Sequence, residues 1–225
     1  TVSGDYTSDL AAPYTHNFVI TAVNGKATGS FFLNGVTYTV TRNPENPKSG
    51  DAIEFTTNIP KGKFVSIKIG EETLDATDYT VSTEGPIVVT VDAEYTEDLD
   101  APQLYNYVIT ATNGKVTDSF TLAGISYDVV ISPLKPIAGD EIDFVTNIPE
   151  GKVTGIEIEE EELLPAEFSV EAVDGFDVVT ISDYSYDLAI GEYDVIITAT
   201  NGTATGILKI YPGEYTLVSR TPNIP

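Results

Sequence analysis

The sequence predicts an all-β fold in which one small sandwich is repeated along the chain. A segment of alternating β-branched residues that ends in Asn-Gly occurs three times. Its glycines, Gly25, Gly114 and Gly202, are roughly 90 residues apart, which is the length of one small domain. Apolar residues make up 41% of the chain and charged residues 20%, values that are typical of proteins with a buried core.

Each copy of this segment predicts a β-hairpin. In the middle copy, residues 105–111 and 116–122 alternate between apolar and polar side chains, and Asn113-Gly114 lies between them. Asn-Gly favours the two positive φ values of a type I′ turn. We therefore expect a two-residue turn at the same place in every copy.

The repeat divides the chain into four parts. Residues 1–33 correspond to the C-terminal half of a repeat, residues 34–122 and 123–212 are complete repeats, and residues 213–225 resemble the start of a further repeat or a linker. We expect the chain to be a piece of a longer array. The partial first copy would be completed by its own parent chain or by strand addition from a neighbouring subunit.

The first complete repeat predicts about seven short strands, A to G. Seven strands separated by turn residues in about 90 residues are typical of an immunoglobulin-like sandwich. Tyr6, Tyr95 and Tyr184 precede strand F in the three copies and are candidates for a tyrosine corner, and a single helical turn is predicted at 95–99. Short proline-containing joins favour an extended rod of domains. The strands are expected near residues 36–40, 53–55, 64–69, 79–81, 87–91, 105–111 and 116–122.

Several motifs in the second half of the repeat resemble a known family. They include Asp78-Tyr79-Thr80-Val81, residues 94–99 and Tyr107-Val108-Ile109. These motifs resemble X2-type immunoglobulin-like modules of cellulosome scaffoldins and other bacterial cell-surface proteins. The resemblance implies an extracellular β-sandwich that acts as a spacer, a scaffold or a surface-attachment element, without a catalytic site.

The charge of the chain excludes two classes of partner. Eleven Lys and Arg against 35 Asp and Glu give a net charge of -24. This charge repels nucleic acid and anionic membranes, and no apolar run approaches the roughly 18 residues of a membrane span. We expect neither nucleic acid as a partner nor a membrane span in this segment. The resemblance described above implies an extracellular location at the cell surface.

The side chains available for catalysis predict that the chain is not an enzyme. His16 is the only histidine and Tyr105 takes its place in the next copy, while cysteine is absent. No catalytic triad, thiol nucleophile or zinc site can be assembled from these residues. A paired-carboxylate glycosidase would need a cleft that raises the pKa of one carboxyl group, and none is evident in a sandwich with polar loops.

Recurring acidic pairs are candidate calcium ligands, since Ca²⁺ prefers carboxylate and carbonyl oxygens. One set opens strand B and the other set flanks the predicted helical turn. Under the alternative interpretation, the strand B acids keep an edge soluble and the other acids cap the turn. The candidate ligands are Asp51, Glu54, Asp140, Asp143, Glu94, Asp98, Asp183 and Asp187.

Two further motifs are interpreted as turns. Asn201-Gly202-Thr203 matches a glycosylation sequon, but Asn24 and Asn113 are followed by Gly-Lys, so the shared feature is a turn. Residues 159–162 are four consecutive glutamates and are expected at an exposed hairpin tip.

These features predict a structural repeat segment of an S-layer, a fibre or an adhesin stalk. Its partners would be neighbouring repeats of the same protein or other copies of itself. The alternative is an adhesive module that recognises a glycan or a host protein through a loop or a tyrosine-bearing face.

Overall fold

The structure is a computed structural model that describes residues 3–82 and 84–213, except for the side chain of Asp5. It confirms an all-β protein of immunoglobulin-like sandwiches. The chain divides into two compact units, Thr1–Gly124 and Ile125–Pro225. The first unit contains a hairpin and one sandwich, and the second contains one sandwich. The predicted further repeat at 213–225 lies outside the described residues, apart from Gly213.

The partial first repeat forms one helical turn and a hairpin. Helix α1 spans Gly4–Ser8, and the Ser3 side chain accepts a hydrogen bond from the Tyr6 backbone N–H at 3.3 Å. Strands β1 (Tyr14–Ala22) and β2 (Gly25–Leu33) pair with each other in antiparallel register and with no other strand of the described residues. This two-stranded sheet corresponds to strands F and G of a sandwich.

The first sandwich consists of two sheets. One sheet has the strand order β3-β11-β10-β6-β7, and the other has the order β4-β5-β9-β8. The elements are β3 (Val36–Thr37), β4 (Val40–Asn43), β5 (Ile53–Thr57), β6 (Phe64–Ile69), β7 (Glu72–Thr73), β8 (Tyr79–Val81), β9 (Val88–Val91), α2 (Ala93–Glu97), β10 (Gln103–Ala111) and β11 (Gly114–Leu122).

Among its described residues the first sandwich therefore has nine strands, where the sequence predicts about seven. Predicted strand A is divided: β3 pairs in parallel with β11, and β4 pairs antiparallel with β5 in the opposite sheet. The second additional strand, β7, extends the predicted C strand into a hairpin. In both cases a short segment pairs with a strand edge that would otherwise be open: β3 pairs with β11, and β7 pairs with β6.

The core of the first sandwich follows the predicted alternation. Along β5, Ile53 and Phe55 are buried while the residues between them are exposed. Phe55 packs on Tyr107 of β10, with ring centroids 4.5 Å apart. Burial of such aromatic side chains contributes about 1.5–3 kcal/mol each to folding. The core thus joins the two sheets along strands B and F.

Helix α2 confirms the predicted helical turn between strands E and F. Thr96 lies on this turn, is fully buried, and donates from Oγ1 to the Asp51 carbonyl oxygen at 2.8 Å. Ser49 Oγ donates in return to the Thr96 carbonyl oxygen at 3.3 Å. These bonds fasten the loop before strand B to the helical turn.

The second sandwich repeats this arrangement. Its sheets have the orders β12-β20-β19-β15-β16 and β13-β14-β18-β17. A 3-10 turn at Asp183–Asp187 takes the place of α2. The strands are β12 (Ile125–Tyr127), β13 (Val129–Ser132), β14 (Ile142–Pro149), β15 (Val153–Ile158), β16 (Glu161–Glu162), β17 (Phe168–Val173), β18 (Phe176–Ile181), β19 (Gly191–Ala199) and β20 (Gly202–Ile210).

Candidate functional site

The acids that open strand B fix the loop that precedes it. Asp51 Oδ2 accepts a hydrogen bond from the Lys48 backbone N–H at 2.8 Å. Asp140 Oδ2 accepts one from the Ile137 backbone N–H at 2.9 Å. Each carboxylate therefore has a role in the turn that needs no bound ion.

The remaining strand B acids have different surroundings in the two sandwiches. Asp143 Oδ1 accepts a hydrogen bond from Thr180 Oγ1 on the adjacent strand at 2.8 Å. Glu54 is exposed on β5, opposite Asn43 of β4. The two positions are therefore equivalent in sequence but not in contacts.

The other acidic set lies at the ends of the helical turns. Glu94 is in the first turn of α2 and Asp98 is its C-cap residue. Asp183 and Asp187 are the first and last residues of the 3-10 turn, and both are exposed. A carboxylate in a first turn stabilises the positive end of the helix dipole.

Within residues 3–82 and 84–213, the structure brings together no group of three or more acidic or histidine side chains suited to a metal ion. Calcium binding by the candidate pairs stays a prediction.

The tyrosine corners are formed by other residues than predicted. Tyr105 donates its hydroxyl to the Asp100 carbonyl oxygen at 3.0 Å, and Tyr193 donates to that of Ala189 at 2.9 Å. In the partial repeat, His16 Nε2 lies 2.8 Å from the Ala11 carbonyl oxygen. A carbonyl oxygen only accepts, so Nε2 carries the proton. His16 thus replaces a corner tyrosine.

The tyrosines predicted for the corner contact glutamates instead. Tyr95 donates to Glu72 Oε2 at 3.4 Å, and Tyr184 donates to Glu161 Oε2 at 3.2 Å. Burial and the Glu161 carboxylate raise the pKa of Tyr184 to about 12. Burial and Glu72 raise the pKa of Tyr95 above its ordinary value. The third candidate, Tyr6, is 61% exposed.

An acidic cleft of about 350 Å³ surrounds Tyr184 in the second sandwich. Two of its carboxylates already bind backbone N–H groups. Glu167 Oε2 accepts from Leu164 at 2.6 Å, and Glu159 Oε1 accepts from Asp194 at 2.9 Å. The cleft can attract cations. Glu167 and Glu159, however, already stabilise the fold through these hydrogen bonds.

The predicted hairpin tip at residues 159–162 is confirmed. Glu159 and Glu160 form the turn between β15 and β16, and both have positive φ values, 50° and 67°. All four glutamates are exposed.

The repeated Asn-Gly dipeptide is a docking point for the strand that opens each sandwich. Asn113 accepts the Val36 backbone N–H on its carbonyl oxygen at 2.8 Å. Its Oδ1 accepts the Tyr38 hydroxyl at 2.6 Å. In the second sandwich Asn201 binds the Ile125 N–H at 2.9 Å and the Tyr127 hydroxyl at 2.9 Å.

The predicted type I′ geometry is wrong for both complete repeats. Neither the Asn nor the Gly of these dipeptides has a positive φ in the left-handed region. Glycine is required for another reason, since a Cβ on Gly114 would overlap the Val36 carbonyl oxygen. A Cβ on Gly202 would overlap that of Ile125 in the same way. The dipeptide therefore serves the close approach of a parallel strand.

The sequon at Asn201 lies in this docking point. The Asn201 side chain is fully buried and its Oδ1 binds Tyr127. A glycan at Asn201 is incompatible with this packing, which supports the interpretation of the sequon as a turn.

A second surface feature is a groove of about 410 Å³ along β13 and β20 of the second sandwich, whose lining includes exposed apolar side chains beside Lys209. Val130, Leu134 and Ile207 line it and are 61%, 86% and 63% exposed. Ile131 also lines this groove, and its counterpart in the first sandwich is Arg42 of β4. Arg42 donates to the Ser119 carbonyl oxygen at 3.0 Å and lies 5.6 Å from the Phe120 ring centroid. The two sandwiches thus differ at this surface.

Among the residues that the structure describes, no helix is long and apolar enough to cross a membrane.

No protein-family model and no curated protein matches the chain. It is similar to the I9-I11 tandem of titin at 14% identity and a TM-score of 0.31, covering 90% of this chain and 74% of that chain. It is similar to titin Ig domains A164-A165 at 17% identity and a TM-score of 0.30, covering 78% of this chain and 97% of that chain. It is similar to the Yersinia pseudotuberculosis adhesin InvE at 13% identity and a TM-score of 0.38, covering 77% of this chain and 58% of that chain.

The class of protein follows from the sheet order. Each of the two units contains one sandwich. In each sandwich one sheet has the strand order A-G-F-C and the other has the order A-B-E-D, as in an immunoglobulin-like domain. The chain is therefore made of tandem immunoglobulin-like modules.

Proposed function

We propose that the chain is a structural repeat segment of an extracellular surface protein, in which it acts as a spacer or scaffold. The observation that carries this proposal is what the complete repeats share. Both retain the Asn-Gly docking point, the corner tyrosine and the loop carboxylate before strand B. Each of these groups holds the sandwich together, and none is free to act on a substrate.

Positions that face solvent differ between the repeats, which supports the same proposal. Exposed Glu45 corresponds to exposed Leu134, and the groove of the second sandwich has no apolar counterpart in the first. A repeated catalytic or binding site would keep its side chains. What is repeated here is the framework, as expected of a spacer that is not an enzyme.

The finer proposal is a stalk, fibre or S-layer component related to X2-type modules. The motifs quoted above support it, as does the acidic surface, which keeps crowded copies apart. Cell-surface location is part of this proposal.

Small-angle scattering of chain 1–225 tests the spacer role. A spacer requires the extended arrangement that the short joins predict. The radius of gyration should therefore exceed about 17 Å, the value for a compact globule of 225 residues. A compact particle would contradict the proposal.

The second candidate function is adhesive binding, and the groove lined by Leu134 and Ile207 favours it. Exposed apolar patches on soluble domains often mark contact sites. Glycan-array or host-protein binding that is lost in Leu134→Ser but retained in Val65→Ser would support this function. Val65 is a matched control because it is 56% exposed on β6 of the other sandwich.

A further inference from the structure

The hairpin β1-β2 reproduces the F-G hairpin of a complete sandwich. Ala22 pairs with Gly25 as Ala111 pairs with Gly114, and the register continues unchanged to the other end of both hairpins. Helix α1 precedes β1 in the same way as α2 precedes β10. The local fold of a repeat is therefore present in residues 3–33 without strands A to E.

The face that is buried in a complete sandwich is open on this hairpin. Phe18 and Ile20 are 41% and 63% exposed. Their counterparts Tyr107 and Ile109 are 1% and 0% exposed. The sequence therefore encodes a core-facing surface that lacks its other half.

The aromatic cluster on this face shows what is missing. His16 and Phe18 lie 5.6 and 6.5 Å from Phe31, between ring centroids. Tyr105 and Tyr107 lie 5.8 and 6.1 Å from Phe120 in the same arrangement.

In the complete sandwich, Phe55 of strand B closes this cluster. It lies 4.5 Å from Tyr107 and 6.3 Å from Phe120. The hairpin cluster has no such ring on it in the described part of the chain. Its geometry is thus that of a cluster without its strand B member.

Both edges of the hairpin are also open among the described residues. In the first sandwich, β10 pairs with β6 across residues 107–111, and β11 pairs with β3 at Gly114 and Lys115. In the part of the chain that the structure describes, strands β1 and β2 form a sheet of only two strands. Open edges of this kind add strands readily.

The charge of this segment suits burial. Residues 10–44 contain no Asp or Glu, although the whole chain has 35. A partner that covers the hairpin therefore buries no carboxylate of β1 or β2, whose desolvation would oppose association.

We propose that this face is an acceptor for the A-to-E half of a repeat of the same type as residues 34–91, supplied by the same polypeptide. Its strand C pairs with β1, its strand A pairs with β2 at Gly25, and its strand B aromatic packs on Phe18 and Phe31. Supply in cis follows from α1, because α2 joins strand E to strand F within one chain. This proposal does not depend on the surface role proposed above.

The test extends the full chain with its own sequence. Residues 34–89 are placed directly ahead of Thr1, because Thr1-Val2 correspond to Thr90-Val91 at the end of strand E. We expect the amides of residues 19–22 to exchange about 100-fold more slowly than in chain 1–225, as expected for strands inside a cooperative core. Binding of a fluorescent apolar dye should fall in parallel.

Two controls keep the result interpretable. Phe18→Asp in the extended chain should restore fast exchange while the added segment remains. A second extension with residues 123–179 tests the same face in case the first extension folds poorly. Equal exchange rates in chain 1–225 and in both extensions would overturn the proposal.

Sedimentation of chain 1–225 tests the alternative that a second copy of the chain covers the face. If the chain self-associates, its residues 19–22 are protected, and Phe18→Asp makes it monomeric, then a second copy covers the face and supply in cis is overturned. A monomer with unprotected hairpin amides, together with protection in the extended chain, supports the proposal.

Discussion

Tyr127 donates its hydroxyl hydrogen to Asn201 Oδ1 at 2.9 Å, and Tyr38 makes the same bond to Asn113 at 2.6 Å. In the first sandwich the tyrosine directly follows the strand segment that pairs with strand G, and in the second sandwich it is the last residue of that segment. The bond therefore anchors the chain just where it crosses from one sheet to the other. The Asn-Gly dipeptide, which the sequence predicts to be a turn, therefore also fixes the segment that connects the two sheets.

Asn201→Ala is expected to destabilise the second sandwich by about 1–3 kcal/mol, because it leaves the partly buried Tyr127 hydroxyl without its acceptor. Urea denaturation measures the change. Tyr127→Phe should be less costly, and a double-mutant cycle should show coupling of about 0.5 kcal/mol or more. Asn24→Ala is the matched control, since Asn24 occupies the same repeat position on the open hairpin and is exposed. Equal losses at both asparagines would contradict a specific role for the bond.

Gly202→Ala is expected to cost about 1–3 kcal/mol, because the added methyl must displace the Ile125 backbone. Gly155→Ala in the same sandwich is the control. The nearest atom to its added methyl would be Glu162 Oε1 at 4.0 Å, so its effect should stay within about 0.5 kcal/mol. Thermal unfolding followed by NMR signals of the second sandwich reports both. A tolerated Gly202→Ala would show that the parallel pairing is dispensable.

Local alternation predicted most strands because one face of each strand is buried. Ile53 and Phe55 show this directly, as does the helical turn where alternation fails at Tyr95. The division of strand A was beyond such reasoning, since it depends on the distant edge offered by Gly114. The corner tyrosine was misassigned for a similar reason, because the acceptor of Tyr95 lies on β7, a strand that local pattern did not predict.

The candidate site was less predictable than the fold. Acid spacing identified Asp51 and Asp140, but not that backbone N–H groups occupy them. Asp177 was missed, although it is buried and binds two backbone N–H groups. A comparison of the repeats contains the signal, because an acid there replaces an apolar residue within an alternating strand.

Glu161→Gln should lower the pKa of Tyr184 from about 12, though not to its ordinary value of 10.0, because burial is the larger cause. NMR of ¹³C-labelled tyrosine measures this pKa. Glu162→Gln is the control, since Glu162 is exposed on the same strand. Equal tyrosine titrations in the two variants would contradict the Glu161 contact.

The raised tyrosine pKa also predicts alkaline destabilisation. The folded protein holds the Tyr184 proton more tightly than the unfolded chain. The stability from this group is therefore complete below pH 10 and is lost as the pH rises from 10 towards about 12. Burial raises the pKa of Tyr107 to about 12 as well, so it adds to the effect. A stability that stays constant from pH 9 to 11.5 would be inconsistent with these shifts.

Asp140 separates the loop role from calcium binding. Asp140→Asn keeps an oxygen acceptor for the Ile137 N–H, so we expect a change within about 0.5 kcal/mol, whereas Asp140→Ala should cost about 1 kcal/mol. Melting is measured with excess Ca²⁺ and with chelator. A Tm that rises with Ca²⁺ in the natural protein but not in Asp140→Asn would instead favour the cation site.

Asp177 supplies a final test of how the two sandwiches differ. Its Oδ1 and Oδ2 accept the Gly151 and Val153 N–H groups, each at 3.0 Å, and only 2% of the residue is exposed. The first sandwich has buried Ile87 at the equivalent position. Asp177→Ile should therefore cost about 1–3 kcal/mol, despite copying the other repeat, because it leaves two donors unpaired.

Glu171→Ala is the matched control for Asp177, since Glu171 is exposed on the adjacent strand β17. Its effect on urea denaturation should be within about 0.5 kcal/mol. Exchange of the Gly151 and Val153 amides should accelerate in Asp177→Ile and not in Glu171→Ala. If those amides remain protected, another acceptor replaces the carboxylate, and the turn between strands B and C does not depend on it.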